Sequence, residues 1–168
     1  AKGRPLINLI NLDEGERITS LLNVESFEEL GFVFMATKKG VVKKTSLDEF
    51  KRQWRVGKKA IKLDPDDELV GSTLTDGEKF IMLVSQSGKA VFFDEKEARS
   101  MGRAARGVKG INLGKGDQVI SLLVPEKENT IFTVSENGYG KRTNVDDFRK
   151  TRRGAKGVIA MQTSDRNG

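Results

Sequence analysis

The side chains in this sequence most able to do chemistry are cations. Lys and Arg number 30 against 24 Asp and Glu, a net charge of +6, and His and Cys are absent. Without His the chain lacks the commonest general base, the Ser-His-Asp arrangement and almost every kind of zinc site. Without Cys it has no thiolate or disulfide chemistry. No phosphate loop ending in Gly-Lys-Ser/Thr is present, so ATP binding within this stretch is not expected. The cations come in runs. Lys38 to Lys59 holds nine basic against two acidic residues, Arg99, Arg103, Arg106 and Lys109 follow with no acid among them, and Lys141 to Lys156 holds seven against two. Acids gather between the runs, at Asp13–Glu16, Glu25–Glu29 and Asp64–Glu68. Cations with glycines among them (Gly102, Gly107, Gly110, Gly154, Gly157) suit contact with phosphates, because small residues let backbone amides approach; turn geometry alone also accounts for these glycines.

Two other clusters invite a chemical reading. Tyr139 is the single tyrosine and follows an Asn-Gly pair with no base nearby, so it reads as part of a turn, not as a nucleophile. "LDPDDEL" from Leu63 sets carboxylates close together, but not at the spacing of a calcium loop, and Pro65 suits an acidic turn.

The elements that position these residues recur. "FMATKKGVVKKT" (Phe34–Thr45) returns as "IMLVSQSGKAVFF" from Ile81 and as "IFTVSENGYGKRT" from Ile131. Each is an apolar run, a polar pair with Gly, and a second run, which is a β-hairpin. The turn glycines Gly40, Gly88 and Gly138 lie 48 and 50 residues apart. Other landmarks keep that period. "GKKAIKL" from Gly57 matches "GVKGINL" from Gly107 and "GAKGVIA" from Gly154; "DDELVGSTL" from Asp66 matches "GDQVISLLV" from Gly116 and "GERITSLLNV" from Gly15; "SLDEFKR" from Ser46 matches "NVDDFRK" from Asn144. A four-stranded unit at this period is the mark of propeller blades, which bury their faces only by stacking on neighbours. The reading is one all-β domain over 1–168, with repeats at roughly 1–53, 54–103 and 104–150 and the start of a fourth at 151–168. The pattern is already under way at Ala1 and still running at Gly168, so a piece of a longer chain is expected.

Stacked repeats turn one sequence position into one zone in space, so the basic runs should form a stripe. Few aromatics are free to stack bases, and no recognition helix is apparent, which leaves phosphate contact with duplex DNA and deformability as the source of any preference. The expected contacts are Lys38, Lys39, Lys43, Lys44, Arg55, Lys58, Lys59, Arg103, Arg106, Lys109, Lys141, Arg142, Arg152, Arg153 and Lys156. A protein-binding propeller with an acidic partner is the competing reading. An enzyme is the remote one. No apolar run reaches membrane-spanning length.

"MGRAARGVKGINL", "ENGYGKRT", "FMATKKGVVKKT" and "GRPLINL" closely resemble the C-terminal domain of the bacterial DNA gyrase A subunit, over essentially the whole chain. The resemblance implies a propeller-like β-pinwheel whose blades exchange strands, here about three and a half repeats of it. It implies that duplex DNA wraps a basic outer rim in support of negative supercoiling. It also implies a bacterial, cytoplasmic, nucleoid-associated parent, an ATP-dependent type IIA topoisomerase. The implied partners are the remainder of the gyrase A subunit, together with the gyrase B subunit. ATP and Mg then belong to other domains, and this stretch is non-catalytic and takes no cofactor. The topoisomerase IV A subunit carries a related domain. The family's basic motif Gln-Arg-Arg-Gly-Gly-Arg/Lys-Gly is missing, and "TRRGAKG" (Thr151–Gly157) is the nearest match. Open blade edges are expected to invite self-association.

Overall fold

The computed structural model describes residues 3, 14–27, 30–52 and 57–168. Three antiparallel hairpins form its frame: β1 (Phe32–Thr37) with β2 (Val41–Ser46), β4 (Phe80–Ser85) with β5 (Lys89–Asp94), and β8 (Thr130–Val134) with β9 (Gly140–Asn144). Glycine closes each turn at positive φ, +83° at Gly40, +76° at Gly88 and +82° at Gly138, a conformation that a side chain at Cβ disfavours. At Gly88 space forbids one as well, since a Cβ there would lie 2.1 Å from the Met161 carbonyl oxygen.

The remaining strands are lent by later parts of the chain. β3 (Leu69–Thr75) adds to β1, and β6 (Val108–Lys109), from beyond the second hairpin, adds to β2. The first sheet therefore runs β3-β1-β2-β6. The second repeats the plan with β7 (Val119–Leu123) on β4 and β10 (Val158–Ile159) on β5. The register shifts at the same place in both, between Ala36 and Thr37 and between Val84 and Ser85. Single-turn 3-10 helices follow each hairpin, at Leu47–Phe50, Glu95–Glu97 and Val145–Asp147.

Alternation of side chains across a strand explains the core. In β4, Ile81 and Leu83 face the first sheet and pack with Phe34, Ala36 and Val42; Met82 and Val84 face the third repeat and pack with Val145, Phe148 and Ala160. A strand covered on both faces needs an unbroken apolar run, and "FIMLV" is one. Each such side chain contributes about 1.5–3 kcal/mol of burial.

The strand exchange also fixes the repeat register. Gly40 O accepts from Gly110 N and Ile111 N, and Gly88 O accepts from Ala160 N and Met161 N. Gly107 therefore corresponds to Gly157, not to the Gly154 that "GAKGVIA" suggests. "TRRGAKG" carries two glycines three apart, and the eye takes the wrong one.

Candidate nucleic-acid interface

The cations are positioned by two equivalent loops, 101–107 and 151–157. Each is pinned to a hairpin's second strand, by Met101 N donating to Lys44 O at 2.8 Å and Thr151 N to Phe92 O at 2.7 Å. Each then makes the same turn, Ala105 N to Gly102 O and Ala155 N to Arg152 O. Gly107 (φ +109°) and Gly157 (φ +84°) end the loops so close to the strand that a Cβ would lie 2.5 Å from Val42 O and 2.8 Å from Ala90 O. The backbone presses inward there, and the side chains before it, Arg106 and Lys156, are exposed.

Around each loop the exposed cations gather into hollows. Lys39, Arg106 and Lys109 line one beside Gly40, Gly107 and Val108, with Asp64 in ion-pair contact with Arg106. Arg149, Lys150, Arg152 and Lys156 line a second, and Arg149 continues into a third with Lys141 and Arg142. Lys150 is steadied over the Phe80 ring, 4.0 Å from its centroid. Lys58 and Lys59 are exposed as well. Lys38 is half-buried and lies 3.9 Å from Glu68, and the Lys39 ammonium donates to Pro65 O at 2.6 Å.

Four expected contacts sit elsewhere. Lys43 and Lys44 are interior, opposite Met35 and Phe34 in the first hairpin. The Lys43 ammonium donates to the backbone oxygens of Ala60 and Arg103, and burial holds its pKa down at about 8 although Glu49 partly opposes the fall. Lys44 reaches Glu95, 3.0 Å to its carbonyl and 3.7 Å to its carboxylate. Neither lysine belongs to a surface stripe. The repeat itself carried the signal, because the equivalent residues of the second hairpin are Val91 and Phe92. Arg103 and Arg153 are half-buried and act as staples. Arg153 Nε donates to Glu97 O at 2.9 Å and Nη1 to Lys109 O at 2.6 Å; Arg103 lies 3.9 Å from Glu49, the equivalent acid. Arg55 lies outside the described residues.

Three cations that the spacing argument passed over belong with the site. Arg149 and Lys150 stand in the "NVDDFRK" run, and Lys89 stands on β5 opposite Ile159 of the edge strand β10 of the second sheet. In the first sheet the outer-edge cation is Lys109, opposite Val41. The charge has moved to the other strand of the ladder, so aligned repeats do not reveal it.

Tyr139 and the acidic turn serve structure. The Tyr139 ring lies under the Arg166 guanidinium at 5.2 Å, and its hydroxyl accepts from Arg166 Nε at 3.4 Å. In the Asp64–Glu68 turn the Asp67 carboxylate accepts from the amides of Lys39 and Glu68, both at 2.9 Å. Among the described residues no three His, Cys, Asp or Glu side chains gather as metal ligands would, and no helix is long and apolar enough to cross a membrane.

Comparison with known proteins agrees with this architecture. The family described as the DNA gyrase C-terminal domain, β-propeller, matches residues 1–25, 31–76, 79–126 and 129–168. The DNA gyrase A subunit of Escherichia coli (strain K12) is 53% identical over 110 residues, covering 66% of this chain and 13% of that protein. Its counterpart from Chlamydia pneumoniae is 43% identical over 112 residues, covering 66% and 13%. A solved C-terminal domain of DNA topoisomerase IV superposes with a TM-score of 0.87 at 34% identity, over 94% of this chain and 49% of that one. A solved DNA gyrase A C-terminal domain does so with a TM-score of 0.87 at 26% identity, over 100% and 56%. The chain thus spans 13% of these gyrase proteins and about half of either solved domain.

Proposed function

Since the chain belongs to the DNA gyrase C-terminal domain family, we propose that it binds duplex DNA along the outer edges of its sheets and bends it there. The observation that carries this reading is the recurrence of exposed cations on two successive strand-exchanged sheets: Arg106 and Lys156 at equivalent places, and one cation in each outer ladder, Lys109 on β6 in the first and Lys89 on β5 in the second. Each phosphate neutralised by such a cation releases condensed counterions, so affinity falls with salt by a log-log slope of about 0.9 per contact. A straight duplex meets the edge of one sheet; reaching the next requires a bend, at a cost of about 1–6 kcal/mol for 40–90° that the added contacts offset. Among the described residues no helix is offered to a groove, so base reading is slight and deformability sets preference.

In the parent protein the same edges wrap DNA so that a second duplex segment reaches the cleavage region in one handedness, which supports negative supercoiling. Cleavage, ATP and Mg belong on that reading to other parts of the gyrase A and B proteins, in the bacterial cytoplasm. This stretch contributes no catalytic residue. Gyrase is favoured over topoisomerase IV by the 53% identity to a gyrase relative.

The test is fluorescence energy transfer on an end-labelled duplex titrated across salt. The ends should draw together as the chain binds. Charge reversal at Arg106, Lys109, Arg152 and Lys156 should lower the salt slope by about one unit per contact. Lys43→Met, an interior change, should leave it as it is. A slope untouched by the four reversals would sink the reading and leave an acidic protein partner as the ligand of these edges.

A further inference from the structure

Loops 101–107 and 151–157 share their closing hydrogen bond and differ inside it. In the second, Gly154 has φ +78°, the value of a type II turn. In the first, the equivalent residue is Ala104, which is not at positive φ, so that turn is of another type. Between turns of types I and II the central peptide turns over, and its carbonyl and N–H exchange directions. The bonding partners show the same reversal. In the second loop the central N–H, that of Gly154, donates to Gly110 O at 2.6 Å. In the first the central carbonyl, that of Arg103, accepts from the Lys43 ammonium, which also donates to Ala60 O at 2.6 Å. Ala60 is the equivalent of Gly110, because two residues further on Lys62 N donates to Ala105 O and Asn112 N to Ala155 O. One repeat thus joins loop to strand by a direct bond between peptides. The other turns two carbonyls toward one ammonium. At the place of Lys43 the second hairpin carries Val91, which has no hydrogen to donate.

We infer that Lys43 is a positioning residue for the DNA-facing loop 101–107, its ammonium standing in for the peptide N–H that Gly154 supplies in the next repeat. The inference rests on the reading of the sheet edges as a DNA interface, since the loop that Lys43 fixes presents the exposed Arg106. The Cβ of Ala104 disfavours positive φ, so the central peptide keeps its carbonyl toward Ala60 O. Two carbonyls set on one interior point need a donor between them. Lys43 with Ala104 is therefore one matched pair, and Val91 with Gly154 is the other. The bridge acts before DNA arrives. It holds the loop in its binding shape, so its loss lowers affinity without removing a phosphate contact.

The test is a cycle of Lys43→Met and Ala104→Gly, read by energy transfer on the end-labelled duplex and by amide exchange with DNA absent. Lys43→Met should weaken binding by about three- to tenfold at an unchanged salt slope, the cost of ordering a loop that the bridge had fixed beforehand. Ala104→Gly alone, at an exposed site, should change affinity by less than about twofold. In the double variant the glycine lets the central peptide turn over onto Ala60 O, and affinity should return to within about twofold of the parent. The amide of residue 104 should then exchange more slowly than in the parent chain. Lys43→Met binding as tightly as the parent would overturn the inference. So would a double variant as weak as Lys43→Met with no slowing at residue 104, because a glycine does not replace the packing of a lost lysine stem. Where Lys43→Met alone does not fold, recovery of the folded chain by Ala104→Gly supports the bridge, and failure to recover overturns it. A slowed amide at residue 104 in a series that binds no duplex at all would keep the bridge and sink the DNA interface.

Discussion

Hairpins β4–β5 and β8–β9 carry the same phrase 50 residues apart and occupy opposite surroundings. The first has strands on both sides and is buried on both faces. The second stands as a pair and exposes Phe132, Val134 and Tyr139. The local signals are equally good in both, including a turn glycine at positive φ. The difference comes from β7 and β10, which later repeats lend to the earlier hairpin. In a strand-exchanged array a hairpin's stability is therefore a property of the repeats that follow it, as nearest-neighbour coupling requires.

The corner after each hairpin gives the strongest way to break this contrast. Glu95 is fully buried, and its carboxylate accepts from Thr75 Oγ1 at 2.7 Å, Lys79 N at 2.8 Å and Gly77 N at 3.0 Å. The equivalent corner of the third repeat holds Val145, also buried. Glu95→Ala leaves the Lys44 ammonium its carbonyl partner but takes away the neighbouring carboxylate and strands three donors, and should cost about 3–5 kcal/mol. Val145→Ala removes only methyl groups and should cost about 1–2 kcal/mol. Urea midpoints at constant m measure both. Equal losses would mean that the middle sheet is no better determined than the last.

Truncating equivalent apolar residues sharpens the comparison at the next level. Met82→Ala should cost about 2–5 kcal/mol, because its neighbours cannot close the cavity. Phe132→Ala should cost less than about 0.5 kcal/mol in dilute solution, where the ring faces water. A large loss at Phe132 would show the third hairpin's outward face to be covered within one chain.

The strands and turns were legible because they are local. Period-2 runs closed by Gly at 40, 88 and 138 need no knowledge of the rest of the chain. Which strand pairs with which was not, since β6 crosses a whole repeat to reach β2. The candidate site was legible to the extent that charge predicts exposure, and this held for Arg106, Lys109, Arg152 and Lys156. It failed at Lys43 and Lys44, which lie on core positions of β2 that Val91 and Phe92 occupy in β5. A long aliphatic stem fills such a position provided that its ammonium meets oxygens, and Ala60, Arg103 and Glu95 supply them. Position within the repeat, not charge, was the better guide there.

Lys43 allows the finest test, set against Lys141 at the equivalent place in the third hairpin, which is exposed. Burial brings the Lys43 pKa from 10.5 down to about 8. Below pH 8 the side chain is charged in both the folded and the unfolded chain, and the full cost of burying that charge is felt. Between pH 8 and 10.5 the folded chain gives up its proton first. The unfolded chain then holds more protons, and stability rises with pH. Carbonyl oxygens of Ala60 and Arg103 still accept from the neutral amine, so the rise is not cancelled by lost hydrogen bonds. Unfolding free energies taken in steps from about pH 8 to 10 should rise by about 2 kcal/mol relative to Lys43→Met, which removes the group. Lys141→Met should change stability by less than about 0.5 kcal/mol. A wild-type curve that runs parallel to that of Lys43→Met through this window would mean that water reaches the ammonium, and that the first hairpin's inner face is as open as the third's.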